Sequence, residues 1–266
     1  MVTVRVLRPK EYAMKVSIRI MLAVVVAVLS LSLVLASCDL VRKTQGIELK
    51  FQKKVQAAEA LSFDMHLRIQ DESGASDLDV SCYKNGQEYA YTFVQPDNAD
   101  YVYRRLYADN CLYEYLTKTQ LHTLLYSVSE DVAYTDDANL LYWVTQNIMY
   151  ATYATLLTTG QKDTVAGVEV YRYDFTYDGN AYSLWYDDAN LVKVSATFQE
   201  TDADGNSHAE TYIATFANYR FDDVDTKPFA RPAESDGLIK VQSSVPVETW
   251  MNTLSRFSAR AAHWMQ

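Results

Sequence analysis

The chain has 266 residues, with 34 acidic against 24 basic side chains and a formal net charge of −10 at pH 7. That balance argues against a nucleic-acid binder, which needs a basic face, and against a protein that spreads on anionic headgroups. With 21 Tyr to 9 Phe, and only 8 Gly and 5 Pro, the composition is ordered and strand-forming, not that of a disordered tail.

The first element is a leader. Arg5, Arg8, Lys10, Lys15 and Arg19 precede an apolar run from Ile20 to Leu35, interrupted only by Ser30 and Ser32. A basic start, an apolar middle and small residues at the end are the parts of a secretory signal. The run is shorter than the ~20 residues a spanning helix needs. Met14 offers a second start that would give a leader of more usual length. The run closes on Leu35-Ala36-Ser37-Cys38, which resembles the lipobox of bacterial lipoproteins. The resemblance implies a diacylglycerol thioether on Cys38 and cleavage between Ser37 and Cys38, leaving residues 1–37 as signal peptide. Small side chains let an extended backbone enter a peptidase cleft, and the thiol supplies the sulfur nucleophile. Two acyl chains hold a protein on a bilayer where one binds only marginally. Asp39 resembles the retention signal that keeps lipoproteins of two-membrane cells at the inner membrane. In a one-membrane cell only the plasma membrane is available. Both routes place the chain on the outer face of the cytoplasmic membrane. Residues 38–44 form a short tether, so the folded part sits within roughly 25 Å of the bilayer.

Residues 45–60 read as a helix, with Ile47, Phe51, Val55 and Ala58 at 4-4-3 spacing. The period then changes to two. Phe63, Met65, Leu67 and Ile69 alternate with Asp64, His66, Arg68 and Gln70 in a half-buried strand. Leu78, Val80 and Cys82 line the next strand, Asn85-Gly86 marks a hairpin turn, and Tyr89, Tyr91 and Phe93 alternate after it. A loop over 95–100, a strand over 101–107, a turn at Asp109-Asn110 and a strand over 112–117 continue the meander. Residues 118–160 break the pattern, and 139–157 are expected to be helical. Strands resume over 168–177, with Tyr171, Tyr173, Phe175 and Tyr177 on one face. Tyr182, Leu184 and Tyr186 alternate next, then Val192, Val194, Ala196 and Phe198. A loop at 202–206 leads to a last strand over 211–219. Residues 227–237, with Pro228, Pro232 and Gly237, read as an irregular wrap. Residues 247–264 read as an amphipathic helix with Trp250, Leu254, Phe257, Ala261 and Trp264 on one stripe.

No catalytic or metal pattern emerges. His66, His122, His208 and His263 form no HExxH pair, and there is no GxSxG elbow, phosphate loop or CxxC pair. Asp202, Asp204 and Asn206 hint at a calcium loop, but Ser207 and Ile213 stand where Gly and Glu are required. The expectation is a non-enzymatic protein without cofactor or metal, with His66 solvated on the polar face of its strand. Once Cys38 is lipidated, Cys82 and Cys111 remain. An exported pair invites a disulfide. Three strand spacings, about 14 Å, would separate them, beyond the ~7 Å limit for a bridge, unless the sheet curls strongly.

The order of elements resembles the half-barrel lipid carriers of the LolA and LppX type. The residues that carry this are Ala60-Leu61-Ser62-Phe63 after the helix, Gly167-Val168-Glu169-Val170-Tyr171 followed by Ser183-Leu184-Trp185-Tyr186-Asp187, and Ala217-Asn218-Tyr219 followed by Phe229 and Pro232. The resemblance implies a mainly β (α+β) fold over residues 45–232, an antiparallel meander half-barrel with plugging helices. Residues 233–266 then form a tail carrying the amphipathic helix, which departs from the family pattern. It also implies a concave face that holds acyl chains or another hydrophobic ligand, lined by Phe63, Met65, Leu67, Ile69, Tyr171, Tyr173, Phe175, Val194 and Phe198. The alternative is a cell-envelope protein-interaction module whose sheet has a filled core and no ligand; its protein partner is unknown.

Overall fold

The structure, a computed structural model, describes residues 46–118, 123–133, 160–177, 179–201, 207–232 and 237–242. It opens with helix α1 (Ile47–Ala57). Gly46, at φ 72°, turns the chain into the helix, and its carbonyl accepts the Lys50 N–H at 3.2 Å. The 4-4-3 spacing puts Ile47, Phe51, Val55 and Ala58 on one buried stripe. The helix is shorter than the 45–60 expectation, because Ala60 already belongs to the first strand.

The strands are β1 (Ala60–Asp71), β2 (Gly74–Asn85), β3 (Glu88–Val94), β4 (Tyr101–Ala108), β5 (Cys111–Lys118) and β6 (Thr123–Ser129), then β7 (Gln161–Val165), β8 (Val168–Tyr177), β9 (Asn180–Tyr186), β10 (Leu191–Thr201), β11 (Ser207–Phe221) and β12 (Ile239–Lys240). They form one open sheet in the order β12-β6-β5-β4-β3-β2-β1-β11-β10-β9-β8-β7. Every pairing is antiparallel except the short β12–β6 pair. The meander β1–β6 and the meander β7–β11 are thus joined side by side through β1 and β11. One continuous apolar cluster takes residues from α1, β1–β4 and β8–β11, so the sheet curls round the helix as a half-barrel.

Three expectations are corrected. A strand, β6, occupies part of the 118–160 stretch read as pattern-breaking, because Thr123–Ser129 pairs with β5 and carries buried Tyr126 and Ser127. Strand β7 was missed; its Gln161–Val165 sequence has no apolar alternation, and it is an edge strand that exposes most of its side chains. His66 is not simply solvated. Its Nδ1 lies 2.7 Å from Asp79 and its Nε2 3.3 Å from Asp77, across the β1–β2 ladder. The expected helices at 139–157 and 247–264, the 202–206 loop, Cys38 and the leader lie outside the described residues.

The two thiols are free. Cys82 is fully buried on the inner face, whereas Cys111 pairs with Ala108 beside the β4–β5 turn, on the outer face. Opposite faces exclude a bridge whatever the curl. Asp109 and Asn110, at φ 53° and 59°, adopt the left-handed backbone conformation of a two-residue hairpin turn, whose twist matches the right-handed twist of the strands.

A bulge shapes the centre of the sheet. The β1–β11 register slips by one residue between Ser62 and Asp64, and Asn218 opposite them sits at φ 57°. The Asn218 side-chain amide donates to Asp64 at 2.7 Å, tying the bulge to β1. A one-residue insertion flips all later side chains to the other face. That is why Tyr219 and Phe221 pack inward with Phe216, and Asn218 does not.

Candidate functional site

The inner face is where the structure places the predicted lining residues. Phe63, Met65, Leu67 and Ile69 stand along β1 in the middle of the sheet and are buried, Leu67 completely. Tyr171 and Tyr173 are buried on β8, Phe198 is buried on β10, and Phe175 and Val194 are half-buried against the same cluster. The register links them in one row across six strands: Tyr173, Leu184, Val194, Ala214, Leu67 and Leu78 are successive cross-strand neighbours. The alternation seen separately in each strand therefore converges on one surface.

The β10 reading needs one adjustment. The register slips between Leu191 and Lys193, so the residue that enters the core at the start of the strand is Leu191 rather than Val192.

Aromatic rings tile this face. Phe51 of α1 meets Tyr186 and Tyr219 edge-on at 6.2 and 5.6 Å. Phe175 stacks on Tyr182 at 5.1 Å, and Phe198 meets Tyr182 and Tyr212 edge-on at 6.2 and 5.5 Å. The tiling continues into β3 and β4, where Tyr89 stacks on Tyr107 at 5.3 Å and Phe93 on Tyr103 at 5.6 Å. Each such pair adds about 0.5–1.5 kcal/mol beyond its burial. Both described ends of the β6–β7 connection sit against this face. Val132 packs on the cluster, and a Cβ at Gly160 would stand 2.8 Å from the Tyr173 ring.

Sequence reasoning missed a polar group within it. Glu114 of β5 is buried on the inner face. It accepts a hydrogen bond from the Tyr103 hydroxyl and lies 3.5 Å from the Arg105 guanidinium. Ser127 is its buried cross-strand neighbour on β6. Arg105 Nε is buried with no hydrogen-bond partner among the described residues. Burial, aided by the Glu114 carboxylate against the opposing pull of Arg105, holds the Tyr103 phenol well above the usual tyrosine range. A charged pair at one end of an aromatic face suits a ligand with a long apolar part and one polar end.

Among the described residues, no cluster of His, Cys, Asp and Glu is arranged to hold a metal, and no helix is long and apolar enough to cross a membrane.

No protein-family model and no curated protein matches the chain in sequence. Solved structures match the chain at low identity, each with a TM-score below 0.5. A LolA superfamily protein from Nitrosomonas europaea is 10% identical, with 71% of this chain and 98% of that one covered and a TM-score of 0.31. The lipoprotein LppX from Mycobacterium tuberculosis is 11% identical, covering 70% and 97%, with a TM-score of 0.33. A DUF1329 family protein from Desulfovibrio piger is 12% identical, covering 70% and 98%, with a TM-score of 0.29.

Proposed function

We propose that the chain is an exported lipoprotein, cleaved before Cys38 and held by a diacyl group on the outer face of the cytoplasmic membrane. Its half-barrel takes up the apolar part of a lipid or another hydrophobic ligand, without catalysis and without a cofactor. The observation that carries the ligand reading is the cross-strand row from Tyr173 to Leu78, an apolar surface far wider than the ~10 Å of one helix. The leader and the Leu35-Ala36-Ser37-Cys38 motif carry the anchor. The short tether supports exchange with the bilayer, since it keeps the inner face within reach of lipid.

One observation favours a second reading. Met65 and Leu67 are 1% and 0% exposed, as in a core that is already filled, and the domain would then serve as a protein-interaction module.

Native mass spectrometry separates the two. The chain from Asp39 onward, exported behind an ordinary cleavable leader, is expected to carry a co-purified lipid and to take up a fluorescent fatty acid. An unliganded mass with no uptake would leave the filled-core reading standing. For the anchor, labelled palmitate is expected to enter the wild-type chain and not the Cys38→Ala variant. Equal labelling of both would overturn the lipoprotein reading.

A further inference from the structure

A polar row crosses the inner face at its β3–β6 end. Tyr91, Arg105, Glu114 and Ser127 are successive cross-strand neighbours. Tyr103 and Leu116 flank the row on one side, Tyr107 and Leu112 on the other, so the two charges stand inside an aromatic and aliphatic frame. Glu114 is the one charged residue that is buried among the described residues.

The balance of this row decides what it can recognise. Arg105 lies 3.5 Å from Glu114, and their formal charges cancel. A ligand carboxylate or phosphate brought here would set a second anion beside Glu114, in a chain of net charge −10. A ligand ammonium would set a second cation beside Arg105. Either leaves one charge without a partner in a site shielded from water, which is costly. A neutral polar group meets no such penalty and finds groups to bond. Arg105 Nε is buried with no hydrogen-bond partner among the described residues, so its N–H is a donor in need of an acceptor. The Ser127 hydroxyl, also buried, both donates and accepts. Glu114 accepts from the Tyr103 hydroxyl and keeps lone pairs for a further donor. A bare hydrocarbon end would leave the Nε donor orphaned, whereas an uncharged head rich in oxygen satisfies all three residues.

We infer that the polar end of the ligand is uncharged and carries an ester carbonyl and hydroxyls, as in an acylglycerol, with Arg105 donating to the carbonyl and Glu114 and Ser127 bonding the hydroxyls. This names the ligand class of the inner face and rests on the lipid reading of that face.

The test uses the chain from Asp39 onward and the neutral fluorescent probe N-phenyl-1-naphthylamine, displaced at pH 8 by monolaurin, laurate or dodecylammonium, which share a chain length and differ in head charge. Wild type is expected to bind monolaurin about tenfold more tightly than either charged amphiphile, the worth of one hydrogen bond to a charged group. Partition into any apolar groove would give part of that preference, so two variants isolate the pair. Arg105→Met with Glu114→Leu is expected to weaken monolaurin about tenfold and to leave the affinity of the probe, which carries no oxygen, unchanged. Glu114→Gln, which frees the guanidinium charge, is expected to bring laurate level with monolaurin or ahead of it. Three results would each overturn the inference while the lipid reading stands: a charged amphiphile held as tightly as monolaurin by wild type, monolaurin affinity unchanged in the double variant, or laurate still the weaker ligand of a folded Glu114→Gln. Failure of both the probe and monolaurin to bind wild type would remove the lipid reading and the inference together.

Discussion

At the scale of single residues, Glu114 and Arg105 are a charged pair set among aromatic side chains. Breaking a buried pair from one side leaves an uncompensated charge and costs about 3–5 kcal/mol. The Arg105 side chain is 34% exposed, so water screens part of that cost, and Glu114→Ala is expected to lose about 2–3 kcal/mol. Replacing both at once, Arg105→Met with Glu114→Leu, is expected to recover most of the loss, because an apolar pair needs no desolvation. Urea denaturation of the three variants checks this; a double variant no better than Glu114→Ala alone would show that the pair is not the source. The pair was within reach of the sequence. A two-residue turn at Asp109-Asn110 sets Ala108 opposite Cys111, and counting outward sets Arg105 opposite Glu114. Both lie in predicted strands, and only the register across the turn shows that these two polar positions meet inside the sheet.

At the scale of elements, α1 is joined to the sheet through Phe51, 1% exposed and wedged edge-on between Tyr186 and Tyr219. Phe51→Ala is expected to cost about 3–5 kcal/mol, as large-to-small changes at a buried phenylalanine do. Lys53→Ala, on the exposed side of the same helix, is expected to stay within about 0.5 kcal/mol. Equal denaturation midpoints for the two would mean that α1 is not part of the core. This helix was legible because its period differs from that of β1 and the change falls at one place. Strands with one wet face were legible for the same reason. Two kinds of feature escaped. Edge strands such as β7 pack on little and need no apolar period. Bulges such as those at Asn218 and Val192 break the alternation on which the reading depends. The pairing of β1 with β11 is fixed by contacts between the two ends of the domain, which no local pattern contains; the order of elements anticipated it only through resemblance.

Across the whole molecule, the tyrosines that tile the inner face make stability a function of alkaline pH. Tyr103 of β4 and Tyr212 and Tyr219 of β11 all have phenols raised by burial, with Tyr212 pushed up to about 12. In the unfolded chain a tyrosine ionises near 10. Between that value and the folded one, the unfolded state has released the proton and the folded state has kept it. The unfolded state then binds fewer protons, so unfolding becomes easier as pH rises. The stabilisation is complete below about pH 10 and is lost upward from there, through about 12 for Tyr212. Each such group contributes a slope of up to about 1.4 kcal/mol per pH unit. General repulsion in a chain already at −10 also grows with pH, so the wild-type curve alone does not isolate the effect. Tyr219→Phe does. The Tyr219 hydroxyl is buried with no hydrogen-bond partner among the described residues, so its removal leaves no orphan behind. The variant is expected to match or exceed wild type at pH 8 and to fall less steeply above pH 10. Urea midpoints at pH 8, 10 and 11 measure both slopes. Parallel curves for the two proteins would assign the alkaline loss to net charge and not to the aromatic face.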